Sequence, residues 1–319
     1  MSDFPEIEIQ NHDRYRAIMR ACRGKMAVRT AVVHPVQANV LEAVADAFKG
    51  NLIIPVLVGP RARILAAAQE AKIDISKWEL IDAEHSHAAA TEAVELASTG
   101  KVDAIMKGSL HTDELLAAIV PSTSGLRTEY RLSHVYVMDV PGYHKPLIIT
   151  DAVVNIAPDL AIKADICQNA INFWHALSHE NGPPKLAILA AVETVNSKMP
   201  ATIDAAALCK MAERGQITGG IIDGPLAFDN AINKQAAQDK GIVSPVAGDA
   251  DILVAPEIES GNILAKQLTF LGHADAAGIV LGARVPIILT SRADNLRTRL
   301  LSCAMAVLLA AARREGRLK

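Results

Sequence analysis

Residues 285–294 read VPIILTSRAD, and residues 295–314 read NLRTRLLSCAMAVLLAAARR. A β-branched run, Val285–Leu289, ends in polar residues. Apolar positions Leu296, Leu300, Leu301, Ala304, Val307, Leu308 and Ala311 then recur at helical spacing. The pattern predicts a strand, a polar turn, and a helix over Asp294–Arg314 with one buried face. Asp294 stands where an N-cap belongs. Ser291 and Arg292 therefore fall at the C-terminal end of a strand and beside a helix N-terminus. Open α/β sheets bind ligands there, and free N–H groups together with the helix dipole favour anions.

The same alternation continues outward. Further strands are expected at Ala27–His34, Leu52–Val58, Ala104–Met106, His134–Met138, Leu147–Asp151, Lys185–Ala190, Gly220–Asp223 and Ile252–Ala255. Helices are expected at Val36–Phe48, Pro60–Ala71, Ser86–Ser98, Asp113–Ile119, Ala161–Leu177, Asp204–Arg214 and Asn230–Lys240. Strand then helix, repeated, implies an α/β fold with a mainly parallel sheet covered on both faces. At 319 residues the chain suits two domains. Pro141, Gly142 and Pro146 mark one seam in Val140–Pro146, and the Gly-rich stretch Gly272–Gly282 marks a second.

Half of the residues are hydrophobic and only 3% are aromatic, a composition for a compact fold. A net charge of -3 argues against a dedicated nucleic-acid binder. The basic end, Arg313, Arg314, Arg317 and Lys319, reads as charge complementing a helix C-terminus. Cys22, Cys167, Cys209 and Cys303 are far apart, with no metal-ligand spacing, and read as small buried hydrophobes in a reducing compartment. Met1–Gln10 is unlike a signal peptide, and the apolar stretch Ala304–Ala312 is too short to span a bilayer. A cytoplasmic protein without membrane contact is expected.

Common phosphate-loop, dinucleotide, zinc-protease and α/β-hydrolase motifs are absent from the sequence. What remains is polar residues at strand ends. Lys107-Gly108-Ser109, followed by His111, Thr112 and Asp113, suits a phosphate and equally an ordinary N-cap. Arg127 and Arg131 flank Thr128–Tyr130 and lead to Ser133 and His134. Arginine holds phosphate bidentately, and a solvated loop with Glu129 fits the same residues. Asp151 with Asn155 suggests positioning or capping. Asp223-Gly-Pro-Leu226, then Glu257, Ser260-Gly-Asn262 and Lys266, complete the set.

In this order the segments Lys107-Gly-Ser, His111-Thr, Asp223-Gly-Pro-Leu, Ser244-Pro-Val-Ala-Gly248, Pro256-Glu, Ser260-Gly-Asn262 and Ser291-Arg292 resemble the phosphate acetyl- and butyryltransferase family. The resemblance runs from about residue 100 to the end. Leu126-Arg-Thr, Pro141–Pro146 and Ser291–Asp294 look closer to the butyryltransferase side, and to the transferase domain found fused to an enoyl-CoA hydratase. The resemblance implies an isocitrate/isopropylmalate dehydrogenase-like fold with the active site in the interdomain cleft. It implies domains of 1–144 with 280–319, and 145–279. It implies reversible transfer of an acetyl or butyryl group between CoA and inorganic phosphate, in a homodimer, with no metal and no cofactor beyond CoA as substrate.

Such chemistry needs a cationic clamp for phosphate, donors for an oxyanion, and a base for the thiol. By the family match Ser291 donates to the reacting centre and Arg292 binds phosphate. Arg131, Ser133, Lys107, Ser109 and Thr112 line the phosphate side, and Asn262 belongs to the substrate set. Where the acetyltransferase branch carries an acid about two turns into the last helix, this chain reads Arg297-Thr298-Arg299. That leaves Asp294 and Asp151, then Glu257, as candidate bases. Arg297 and Arg299 suit either CoA phosphates or solvent, and Leu226, Phe228 and Ile263 are candidate chain-length residues. Two other functions fit the same fold class: a non-catalytic acyl-CoA-sensing domain, and an NAD-dependent 2-hydroxy acid dehydrogenase.

Overall fold

The structure is a computed structural model that describes residues 14–177, 182–289 and 296–318. The chain order begins α1 (Arg14–Ala21), β1 (Val28–Val33), α2 (Ala38–Lys49), β2 (Ile53–Gly59), α3 (Arg61–Glu70), β3 (Glu79–Asp82), α4 (Ser86–Ser98), β4 (Ala104–Lys107) and α5 (Thr112–Ile119). It continues with β5 (Ser133–Asp139), β6 (Leu147–Thr150), α6 (Leu160–Leu177), β7 (Lys185–Leu189), α7 (Pro200–Glu213), β8 (Ile221–Leu226), α8 (Phe228–Ile232) and α9 (Lys234–Asp239). It closes with β9 (Ile252–Val254), α10 (Ile258–Phe270), β10 (Asp275–Leu281), β11 (Ile287–Ile288) and α11 (Leu296–Arg314).

All eleven strands join one sheet in the order β3-β2-β1-β4-β11-β10-β5-β6-β9-β7-β8. One row of paired residues crosses ten of them: Leu80, Leu57, Val32, Met106, Ile288, Ile279, Val135, Thr150, Val254 and Ile188. Most of these side chains belong to a single core that runs under the whole sheet beside α2, α6 and α11. On the other face the apolar residues form two separate cores. One holds Val33, Ile105, Ile287 and Val280 with α4 and α5, and the other holds Ile149, Leu253, Ala187 and Met138.

Strand direction reverses in the middle. β10 is antiparallel to β11 and β5, and β5 is antiparallel to β6. The C-terminal ends of β1, β4 and β11 therefore lie at one edge, and those of β6, β9, β7 and β8 at the opposite edge. Four strand spacings separate β4 from β6, about 19 Å, and their accumulated twist is roughly 80–100°.

Several elements differ from the sequence expectation. β10 falls in Gly272–Gly282, where a seam was expected. Its composition, Asp-Ala-Ala-Gly-Ile-Val-Leu, is that of a strand pressed closely from both sides. Ser302 of α11 accepts from Gly278 N at 3.1 Å on one face, and a Cβ on Gly278 would lie 2.7 Å from His134 Nε2 on the other. β3 lacks a β-branched run because it is an exposed edge strand, and its Asp82 accepts from Arg61 N at the start of α3. The helix expected over Asn230–Lys240 breaks at Asn233, whose side chain accepts from Ala236 N and caps α9. α10 begins with the small polar run Glu259-Ser260-Gly261-Asn262, which masks its periodicity. Glu257 supplies the cap, accepting from Glu259 N and Ser260 N.

α11 is not buried on one face only. Residues 301–312 are buried on every side, because α1, α2, α6 and β10 surround it. Its basic end is pinned rather than simply solvated: Arg313 donates to the carbonyls of Ala283 and Arg284, and Arg314 pairs with Asp103. Cys22, Cys167 and Cys303 are buried and Cys209 is half-buried. Burial pushes the Cys22 thiol up to about 11 and the Cys167 and Cys303 thiols up to about 12.

The turn expected as a seam at Val140–Pro146 joins β5 to β6 and is tied by charge. Asp249 meets Lys185, His144 at 2.9 Å and Lys145 at 3.0 Å, and Lys145 also meets Asp251 at 2.7 Å. Partial burial alone would raise the Asp249 carboxyl. The hydrogen bonds from Lys185, Lys145 and His144 outweigh it and hold the group well below the usual carboxylate range. A carboxyl depressed in the folded state adds stability above its unfolded pKa, and that stability is lost as pH falls through the folded value. Asp249→Asn is expected to lower the melting midpoint at pH 7 by about 2–4 °C. The gap from wild type should narrow as pH falls below about 4, and thermal melts from pH 7 to pH 3 check this.

Candidate functional site

At the first edge, β1 and β4 end side by side. β2 and β3 lie to one side of β1 and β4 to the other, so the chain order reverses here, the position where α/β sheets take ligands. Lys107 pairs with Val33 and is 6% exposed. By strand alternation it shares the split face with Ile105. Gly108 makes the crossing possible: its N–H donates to Val33 O at 2.9 Å, and a Cβ there would lie 2.2 Å from the same oxygen. Ser109 N donates to His34 O at 3.0 Å. His34 adopts φ 55° and is buried, and burial first, then Arg63, lowers its pKa. Its Nδ1, the Ser109 hydroxyl and Glu114 Oε2 are buried without hydrogen-bond partners among the described residues. Thr112 opens α5, whose first turn holds Asp113 and Glu114. Those acids already complement the dipole, so the helix end itself is a poor anion site.

At the second edge Asp151 is 3% exposed and organises the loop after β6. Oδ1 accepts from Val153 N at 2.9 Å and Val154 N at 3.0 Å, and Oδ2 accepts from Asn155 N at 3.1 Å and Asn155 Nδ2 at 2.6 Å. Burial pushes its pKa up, and these hydrogen bonds pull against that. With four donors on two oxygens, the carboxylate is arranged to shape the loop. Val153 and Val154 then pack against the core of α4 and α5, carrying this loop over the split face. Asn262 donates to Ala152 O at 3.0 Å, and Gly261 approaches so closely that a Cβ would lie 2.6 Å from Asp151 O.

Arg131 and Ser133 lie at this second edge too, where β5 begins beside the end of β6. Arg131 is exposed, and its backbone N donates to Asp165. Ser133 is fully buried, with its hydroxyl accepting from Asn169 Nδ2 at 2.9 Å. Asn169 also donates to Arg131 O, so α6 fixes the entry to β5. Ser291, Arg292 and Asp294 lie outside the described residues, which stop at Leu289 and resume at Leu296.

The structure thus gathers Asp151, Asn155 and Asn262 at one edge, and Lys107, Ser109 and Thr112 at the other. Arg297 and Arg299 are neither free for phosphates nor simply solvated: Arg297 pairs with Asp275 at 2.9 Å, and Arg299 is buried and donates to Asn39 O at 2.7 Å. Leu226 is core, whereas Ile263 is 65% exposed. His34 and Asn169 escape the sequence reading. His34-Pro35 at the end of the first strand was the visible signal for one, and no pattern marks the other. A cavity of 580 Å³ opens between α6 and α11 on the continuous-core face, and no residue of either edge group lines it.

Comparison with known proteins identifies the class. The family model for phosphate acetyl/butaryl transferase matches residues 87–307. A phosphate acetyltransferase of Rhizobium meliloti is 57% identical over 303 residues, 95% of each chain. A phosphate butyryltransferase of Clostridium acetobutylicum is 40% identical over 93% of this chain and 98% of its own. The crystal structure of a branched-chain phosphotransacylase from Enterococcus faecalis V583 superposes with a TM-score of 0.76 at 31% identity, covering 88% of this chain and 99% of that one. A 4-hydroxythreonine-4-phosphate dehydrogenase from Burkholderia phymatum, at 15% identity and a TM-score of 0.53 over 89% of this chain and 98% of that one, shares the fold alone. The chain belongs to the phosphate acetyl/butyryltransferase family. It is a transferase, and the dehydrogenase-like fold expected from sequence is the fold observed.

If Asp151 shapes the loop, Asp151→Asn should lower kcat and the melting midpoint together while the acid limb of the kcat–pH profile stays in place. An acid limb that vanishes would make Asp151 the base instead. Gly108→Ala should cost ~3 kcal/mol, an overpacking penalty, read by denaturant unfolding.

Proposed function

We propose that the chain transfers a short acyl group, acetyl or butyryl, reversibly between CoA and inorganic phosphate. The observation that carries the reading is the family match, which spans the site-bearing residues from Lys107 to Arg292. The active site we infer lies over the split face, between lobes of residues 1–144 with 280–319 and residues 145–279. The two separate cores on that face support it.

Phosphate attacks the thioester carbonyl, the carbon–sulfur bond breaks, and CoA leaves as the thiolate. In reverse, the CoA thiolate attacks the acyl phosphate. An oxyanion forms on the carbonyl either way. Ser291 donates to that centre and Arg292 binds phosphate, with Lys107 on the split face as a second cation and Ser109 and Thr112 beside it. Arg131, exposed at the entry to β5, meets a phosphate, and Ser133 supports that entry through Asn169 rather than meeting substrate directly. Asp151 and Asn262 hold the loop that forms the opposing wall. Asp294 is the remaining acid near the Ser-Arg pair and is assigned as the base. Holding both substrates in line supplies much of the rate. CoA serves as substrate, and no metal or other cofactor enters. A cytoplasmic homodimer is the assembly we infer; among the described residues no helix is long and apolar enough to cross a membrane.

The test follows free thiol released from acetyl-, propionyl- and butyryl-CoA with and without phosphate. Phosphate-dependent release is expected. Arg292→Ala should reduce it by about 10²–10³-fold, the loss typical of a removed transition-state donor. Lys107→Ala should raise the KM for phosphate more than it lowers kcat. Binding of acyl-CoA without phosphate-dependent release would sink the transferase reading.

A further inference from the structure

The middle of the sheet carries a feature that neither the family match nor the assigned residues use. The helices packed on β5 and β10 are α6 and α11, and both lie on the continuous-core face. On the split face, strand alternation presents His134, Tyr136 and Gly278, with Gly278 paired to Tyr136 across the two strands. Met106 and Val135 stand in one row on the continuous-core face, so the next residues, Lys107 and Tyr136, both turn to the split face. Tyr136 is half-buried there, beside its strand partner Ile149.

The His134 and Tyr136 rings stand edge to face, 4.4 Å apart at 70°. Gly278 is the condition for this. A Cβ in its place would lie 2.7 Å from His134 Nε2 and 3.2 Å from Tyr136 Cε1. His134 is 1% exposed, and among the described residues its Nδ1 has no hydrogen-bond partner. No hydrogen bond at Nδ1 orients the ring, which packs against Tyr136 and Gly278. Burial drives its pKa down to about 3, so the imidazole is neutral throughout the working range. The ring pair carries no charge to clamp phosphate or the anionic end of CoA, and its ring surfaces suit an apolar group. The acyl chain is the uncharged, apolar part of the substrates.

Resting on the transferase reading above, we propose that Tyr136, backed by the buried His134 ring over Gly278, forms the floor against which the acyl chain lies, and that the depth of this floor sets the chain length accepted. His134→Ala deepens the floor and Gly278→Ala lifts it by displacing the imidazole.

The experiment compares kcat/KM for acetyl-, propionyl- and butyryl-CoA in wild type, His134→Ala and Gly278→Ala, alongside equilibrium affinities for acetyl- and butyryl-CoA without phosphate. His134→Ala should raise the butyryl-to-acetyl ratio by about tenfold, at roughly 0.8 kcal/mol for each of two methylenes. Gly278→Ala should shift the ratio the other way. General damage lowers all three substrates alike and cannot produce opposite shifts. Ratios within twofold of wild type in both variants overturn the proposal. Should His134→Ala fail to fold, His134→Val carries the same expectation with a side chain suited to a strand. Should wild type release CoA from none of the three, the transferase reading falls, and the affinity ratios still decide whether the floor reads chain length.

Discussion

The antiparallel contact of β10 with β5 in the middle of the sheet is the constraint on which the molecule depends. An all-parallel sheet would put every strand end, and every polar residue that follows one, along a single edge. Here direction reverses at β10 and again between β5 and β6, so two sets of strand ends face opposite ways. Lys107, Ser109 and Leu289 belong to one set, and Asp151, Glu257 and Asn262 to the other. Twist over four strands turns the second set by roughly a right angle. This turn is what allows two edges of one sheet to serve as the two walls of the site proposed above.

The contact imposes its own composition. α11 presses on β10 from one face while two rings lie against it on the other, so the strand is built from Ala and Gly at its centre. The same closeness recurs at the walls. Gly108 lets β4 pass the carbonyl of Val33, and Gly261 lets α10 touch the loop of Asp151. These are positions where absence of a side chain, rather than a functional group, places the chemistry. They also explain why a buried carboxylate with four donors sits at the second edge: a loop carried across to a neighbouring core needs its backbone N–H groups satisfied on the way.

Much of the architecture was legible in the chain itself. The β-branched runs at Val28–Val33, Ile53–Gly59 and Leu147–Thr150 are buried on both faces apart from the exposed Ile54 and half-buried Arg29, so their composition alone marks them. Ordered polar landmarks at strand ends identified the family, because such residues are set by chemistry rather than packing. Expectation and structure parted where packing decides. β10 resembles a Gly-rich loop in sequence. β3 resembles a surface segment. α11 resembles a helix with one buried face, although its small residues allow neighbours on all sides.

By itself, then, the sequence determined the strand–helix alternation, the family, and which residue types could meet phosphate and thioester. It could not determine which of them meet. Ser133 reads as a phosphate ligand in the chain and lies fully buried against Asn169 in the fold; Asp151 reads as a base and is arranged as the anchor of a loop. His134 falls within a strand like many others, and only its pairing beside Gly278 lays it on the split face with a nitrogen unpartnered. The physical reason is the same in each case. Local spacing encodes periodicity and chemistry, whereas burial, hydrogen-bond partners and strand direction are properties of the folded backbone, whether the partner lies four positions away, as Asn155 does from Asp151, or 36, as Asn169 does from Ser133.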